Sequence, residues 1–567
     1  MNKIFFRIIT LVFIMINFTG CKDFLDKEVL GLSTEENFYD TRYKLQAALN
    51  ATYDVLQTGV FMECEWRFGE ACADDVIGAD EGLASQMGQL VHFRFTTSNT
   101  WIQDRYSINY IGIHRANQVI ANAHRVQIVD DEYTTYRGIR EILAQAKFLR
   151  ALFYFNLVKT FGGVPIRPEI ETVDNLVIPR STAEEVYAYI EKDLREAAIM
   201  LPAKFLERNA GKADEGACVA LLMKVLMYQA TPGVKSEKWE DMVNLGEFFI
   251  DGKRMSLSEI LKYDPSHEEW EDLRLRLWFK PKELHTEDEI QTIYEKPETL
   301  LSALQNAYSL EYKDYLGGDL KYGYIDQFYL QGEFCRGSVF EVVFKESADG
   351  SEGDVNEGNY IYTNHYTTQW GNPQIWGNEQ IAQNLFANDP RRSFMIGHQQ
   401  DAPDGETSQC GPGRLLSLKW YTPVKERPQY SGDNGKNRRL IRYSEVVLMY
   451  AEALNECNEG ARALTQVNRV KAQANTINGS TGLYTGGGYG LMRNQIWTER
   501  RIEFCYEWDR FFDLVRQKRA ATVIQAYGAE RPNKRGYYFR AGVNEIFPIP
   551  QREIDISNGV VVQNPGY

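Results

Sequence analysis

Residues 499–519 read ERRIEFCYEWDRFFDLVRQKR, and this stretch sets how the rest of the chain is read. Phe504, Trp508, Phe511 and Val515 recur at i, i+4, i+7 and i+11, the spacing of one apolar stripe along a helix. Glu499, Arg500, Arg501, Glu503, Glu507, Asp509, Arg510, Asp513 and Arg516 crowd both charge signs around that stripe. Many opposite charges fall three or four residues apart, where helical side chains meet. Exposed ion pairs add little stability, so this density predicts one amphipathic helix through 499–519, packed between others.

Outward from there the chain is helical and paired. Helices are expected over 45–56, 106–126 and 136–161. In the third, Ile142, Ala146, Leu149, Phe153 and Leu157 keep helical spacing, and Gly162-Gly163 with Pro165 ends it. Thr182 caps the next, over 182–201, with Glu184 and Glu185 in its first turn where the helix dipole favours acid. Helices follow over 213–229 and 239–250. Late in the chain Tyr443, Val447, Tyr450 and Leu454 make one stripe. After a turn at 455–460, Leu464, Val467, Val470 and Ala474 make another.

Helix pairs joined by short turns predict a mainly α fold, a tetratricopeptide-like helical-hairpin scaffold. Between about 264 and 428 the pairing fades, Gly, Pro, Asn and Asp rise, and pieces such as 338–344 alternate like strands. This is a loop-rich, partly β overlay. The chain therefore divides into 1–20, 21–40, 41–263, 264–428 and 429–567: a signal, a tether, a first scaffold part, the overlay, and a second scaffold part with the tail.

The signal is read from Lys3 and Arg7, followed by a largely apolar run over 8–16 that is too short to span a bilayer. Phe18-Thr19-Gly20-Cys21 resembles a bacterial lipobox with Phe18 in place of the usual Leu. It implies cleavage before Cys21 and lipid attachment there. Acyl chains add about 0.8 kcal/mol per buried methylene, so several of them anchor a chain firmly.

The formal net charge of −15 argues against nucleic acid, whose phosphates need clustered Lys and Arg. With Cys21 lipidated, seven of the eight cysteines remain. None sits in a C-x-x-C or at zinc spacing. Cys218, Cys457 and Cys505 fall inside helical patterns. Cys64 and Cys72 are close enough in sequence to bridge, and the odd count leaves at least one thiol free.

The wording of 499–519 resembles the ERR-x-E-(three residues)-E-x-x-R-(two residues)-DL-x-R segment of the SusD/RagB family. The last five residues, Gln563-Asn564-Pro565-Gly566-Tyr567, resemble that family's tail. KFLRALFYFNLV at 147–158, RYSEVVLMYAEALNE at 442–456, Asp389-Pro390-Arg391 and Asp74-Asp75 resemble further landmarks, so the resemblance runs from Cys21 to Tyr567. It implies four helical hairpins and a surface-exposed, lipid-anchored outer-membrane protein. Such a protein captures nutrients, mostly glycans, for a SusC-like TonB-dependent transporter. A peptide-binding RagB-like receptor and a tetratricopeptide adaptor are the rival readings.

Sugars stack their C–H faces on Trp or Tyr while amides, acids and Arg bind the hydroxyls, which calls for aromatics on loops. The segment 359–378, NYIYTNHYTTQWGNPQIWGN, meets this best. It offers Asn359, Tyr360, Tyr362, Tyr366, Trp370, Asn372 and Trp376 as ligand contacts. A second candidate spans 63–80, with Trp66, Glu70, Asp74, Asp75 and Asp80, joined by Trp101 and Arg105. Its acids suit sugar hydroxyls or a structural Ca²⁺, although no EF-hand spacing is present; no other cofactor is expected. Trp239, Trp420, Trp497 and Trp508 are expected in the core. No H-E-x-x-H, G-x-S-x-G or P-loop is present, so a binding protein without catalysis is the expectation.

Overall fold

The computed structural model describes residues 38–567 apart from 79–80, 128–131, 173–174, 206–210, 254, 256–258, 260–261, 263–306, 311–317, 320–322, 346–374, 396–414, 416, 427–433 and 478–481. Its first half is a succession of helices. α1 (Arg42–Gln57) and α2 (Gly59–Trp66) both take Thr caps, Thr41 and Thr58. α3 (Thr100–Asn122), α4 (Glu132–Phe161), α5 (Ala183–Met200), α6 (Glu215–Gln229) and α7 (Glu237–Gly246) then follow. Each packs on the one before it. Thr182 caps α5, as the sequence predicts, and Glu185 closes a reciprocal capping box with it. Gly162 ends α4 with φ +70°, a conformation glycine adopts without a Cβ clash.

The second scaffold part returns to the same layers. α8 (Tyr443–Glu456) packs on α7 and α6, and α9 (Gly460–Gln473) packs back on α8. α10 (Tyr489–Glu503) completes this layer. α4 from Ile142 onward, α6 and α8 are buried around most of their circumference and run through the core, with polar side chains such as Arg150, Glu445 and Glu452 enclosed among the apolar ones. Among the described residues the sheets are two small antiparallel pairs. β1 (Val76–Gly78) pairs with β3 (Ile375–Gly377), and β2 (Ser338–Val342) pairs with β4 (Arg438–Arg442). The fold is thus helical hairpins with a sparse β overlay.

The stretch 499–519 departs from the expected single helix. α10 stops at Glu503, and α11 starts afresh over Arg510–Arg516. Between them Tyr506 and Trp508 take φ +65° and +71°, left-handed values that interrupt a helix. Tertiary contacts hold the break open. The Trp508 backbone N–H donates to the Glu70 carboxylate at 3.2 Å, and the Trp508 ring stacks on Trp420 at 4.5 Å and 9°. Arg438 lies 3.9 Å over the same ring. Four tryptophans expected in the core, Trp239, Trp420, Trp497 and Trp508, are all buried.

Most of the charges of 499–519 are buried and paired, Lys518 and Arg519 at its end excepted. Arg391 donates to Asp389, Glu499 and Glu503 at 2.7–2.9 Å. Arg442 reaches Glu503 and Glu507, each at 2.7 Å. Arg500 bridges Asp513 at 2.8 Å and Glu445 at 2.7 Å, while Arg516 joins Asp513 and Glu452. A buried charge needs such partners, because its desolvation costs several kcal/mol. Cys64 and Cys72 carry no bridge; both are buried thiols, and Cys72 Sγ donates to the Arg67 carbonyl at 3.3 Å.

Candidate ligand-binding site

The two segments singled out in the sequence, 63–80 and 359–378, meet in the fold. β1 and β3 form an antiparallel ladder in which Trp376 faces Ile77 in register. Trp376 is half-buried. Just beyond it the Asn378 backbone N–H donates to the Asp75 carbonyl at 3.0 Å, and its side chain donates to the Asp74 carbonyl at 3.2 Å. Gly377 bridges onward to Leu415. The Trp376 strand is therefore clamped at its end by the Asp74-Asp75 turn. Asn359, Tyr360, Tyr362, Tyr366, Trp370 and Asn372 lie outside the described residues.

Asp74 is not available as a ligand contact. Arg501 reaches Asp74 at 2.7 Å and Asp75 at 2.6 Å, and Arg510 reaches Asp74 at 2.9 Å. Burial alone would raise the Asp74 carboxyl, but Arg501 and Arg510 outweigh it and hold it below the usual range. A sugar hydroxyl would have to displace a charge-assisted pair. These acids brace the site and do not face it. Of the acids expected to suit calcium, Asp74 and Asp75 are held by these arginines, Glu70 accepts from the Trp508 N–H and Asp80 lies outside the described residues; among the described residues no group of three or more His, Cys, Asp or Glu is placed to hold a metal.

Trp66 is likewise turned inward, 1% exposed, because α2 leads into a π-turn over Arg67–Ala71 that is buried throughout. Its ring meets Trp101 edge-on at 6.3 Å. Trp101 is half-buried and carries the Arg67 guanidinium 3.9 Å over its face. Arg105 is fully buried and paired with Glu65. Of the described members of the second candidate group, Trp101 alone is not fully buried.

Arg535 plays a part that sequence reasoning missed. It is buried, pairs with Glu81 at 2.6 Å and donates to the carbonyls of Ala71, Ala73 and Val76, tying the late chain to the start of β1. An arginine in the turn RPNKRG at 531–536 carries no pattern to find it by. The first and last quarters of the chain thus meet at one place, where Asp74-Asp75, Arg501, Arg510 and Arg535 position the Trp376 strand.

Comparison with known proteins matches two family models. One described as "SusD family" covers residues 360–567, and one described as "Starch-binding associating with outer membrane" covers residues 23–227. The chain belongs to the SusD/RagB family. SusD-like protein P2 of Formosa agariphila is 25% identical over 586 residues, 99% of both chains. SusD-like protein P25 of the same organism is 21% identical, again over 99% of both. Among solved structures, a SusD homologue from Bacteroides thetaiotaomicron superposes with TM-score 0.69 at 20% identity, over 94% of this chain and 98% of that one. A laminarin-binding SusD-like protein gives 0.66 at 22%, over 93% and 100%. Surface glycan-binding protein A of B. thetaiotaomicron, in complex with laminarihexaose, gives 0.64 at 20%, over 92% and 99%. In this SusD-like chain the charged landmark and the Asp74-Asp75 landmark, far apart in sequence, are two halves of one brace.

Proposed function

We propose that this protein is a non-catalytic outer-membrane receptor that captures oligosaccharides and passes them to a SusC-like TonB-dependent transporter. The observation that carries the reading is the Trp376 strand: a half-buried indole held in a short ladder beside a buried ionic brace. A pre-positioned aromatic suits a sugar face because little is lost in ordering it on binding. The aromatic and amide side chains of 359–372 precede it closely in sequence. Relatives named for laminarin and glycan binding support the same substrate class. The lipid on Cys21 anchors the protein at the cell surface beside the transporter.

The test is calorimetry on the full chain in a sugar-free detergent against polysaccharides, oligosaccharides and peptide digests. Saturable binding of a glycan in the micromolar to millimolar range, about −8 to −4 kcal/mol, weakened in Trp376→Ala, supports the reading. Binding of peptides alone would move the substrate class to peptide. Shortening of a bound polymer over time would overturn the absence of catalysis.

A further inference from the structure

Just past the Arg535 anchor in sequence, a second aromatic surface stands free of the core. Among the described residues the aromatic side chains more than a third exposed are Tyr43, Tyr489, Tyr537 and Tyr538. Tyr489 is engaged with Glu456 and Arg493. Tyr537 and Tyr538 are neighbours, 48% and 45% exposed, with rings edge-on at 5.3 Å. Neither phenol is hydrogen-bonded to a described residue. The Arg94 guanidinium lies 3.9 Å over Tyr538, and Lys534 Nζ lies 5.6 Å over Tyr537.

The base under this pair is rigid. Phe539 and Phe93, the residues next to Tyr538 and Arg94, are buried against each other at 4.7 Å. Gly528 brings its helix so close that a Cβ there would meet the Tyr537 nitrogen at 2.3 Å. Gly536, at φ +75°, sets the turn. The two rings are thus held out in water by a packed foundation, and no loose loop carries them.

The charge around them is unusual for this molecule. Arg500, Arg501, Arg510 and Arg516 are matched to carboxylates, and the chain carries −15 overall. Arg94, Arg531 and Lys534 make no ion pair with a carboxylate among the described residues, and Arg94 and Lys534 are exposed. A cationic aromatic surface on an acidic protein attracts anions locally while the remainder repels them. A guanidinium resting on a ring keeps its N–H donors for an acidic acceptor.

We infer that Tyr537, Tyr538, Arg94 and Lys534 form a second glycan-contacting surface, selective for sugars that carry carboxylate or sulfate groups. The inference rests on the glycan-capture reading above and adds the charge class of the substrate. The tyrosine rings take the sugar faces, and Arg94 and Lys534 take the acidic substituents.

The test compares the full chain in a sugar-free detergent with a neutral β-glucan, a uronic-acid polymer and a sulfated galactan of matched length. The expected result is tighter binding of an acidic polymer, weakening at least about tenfold as salt rises from about 0.05 to about 0.5 M. Arg94→Ala with Lys534→Ala is expected to lose about tenfold or more, and Tyr538→Ala likewise, with Tyr538→Phe retaining binding and melting temperatures unchanged. Neutral glucan binding untouched by these variants, with no acidic binding, would overturn this surface and leave glycan capture standing. No binding of any glycan would overturn both. Binding to anionic lipid vesicles but not to acidic polymers would make it a membrane-docking surface and overturn it as a sugar site.

Discussion

A methyl group placed on Gly69 would lie 1.6 Å from the carbonyl oxygen of Trp508. The buried π-turn and the left-handed turn of the landmark segment are therefore in backbone contact, and only glycine permits it. Gly69→Ala is expected to destabilise the fold by more than about 3 kcal/mol, within the range of severe core disruptions. Gly460, with nothing within 4 Å of its Cβ position, is the control. Gly460→Ala should be neutral or stabilising by up to about 1 kcal/mol, and chemical denaturation compares the two.

Arg391 stands among three carboxylates with no exposed surface of its own. Arg391→Ala strands Asp389, Glu499 and Glu503 in the interior. Removing one partner of a buried pair costs about 3–5 kcal/mol, and the denaturation midpoint should fall accordingly. Arg137→Ala, which removes an exposed i,i+4 pair with Glu141, should change stability by less than about 0.5 kcal/mol.

Acid and base act on different carboxyls. Asp74, Asp193, Asp513 and Glu503 are buried, and their arginine partners hold them below the usual range despite that burial; Glu65 is lowered to about 2. A depressed carboxyl stabilises the fold above its unfolded value and loses that contribution as pH falls through the folded one. Stability should therefore drop steeply below about pH 4. Asp214 runs the other way, raised to about 7 by burial. Its folded form holds a proton that the unfolded chain has released, so stability declines as pH rises from about 4 to 7. Asp214→Asn should flatten that part of a pH–melting profile while keeping the cap on α6.

The brace and the platform should separate in a paired experiment. Trp376→Ala is expected to weaken glycan binding at least about tenfold, about 1.4 kcal/mol, and to change the melting temperature little. Arg501→Ala leaves Asp74 and Asp75 short of a partner and should lower both affinity and stability, because it acts through the position of the strand. Calorimetry and thermal denaturation on the same samples check this.

The helical frame was legible because its signals are local. Thr182 with Glu185, Gly162 after 136–161, and the stripes on either side of 455–460 all act within a few residues. The break in 499–519 was not legible. Its apolar period fits a helix throughout, and only Glu70, Gly69 and Trp420, far away in sequence, pull Trp508 into a left-handed turn. Asp74 and Trp66 looked like ligand contacts for the same reason: nothing local announces Arg501 and Arg510 as partners, or the π-turn that buries the indole. Trp376 was legible as an aromatic outside helical period. Tyr537 and Tyr538 went unremarked because a tyrosine pair beside a glycine reads as ordinary turn packing.

The brace between Asp74-Asp75 and Arg501 spans 426–427 residues of chain. Contacts so distant are slow to form, since the loop they close is costly in entropy before any contact rewards it. A polypeptide delivered from its amino-terminal end would present two unneutralised aspartates until the far arginines emerge. Its early helices are then kept from settling prematurely, and the lock engages late, when nearly all of the protein is present to be locked.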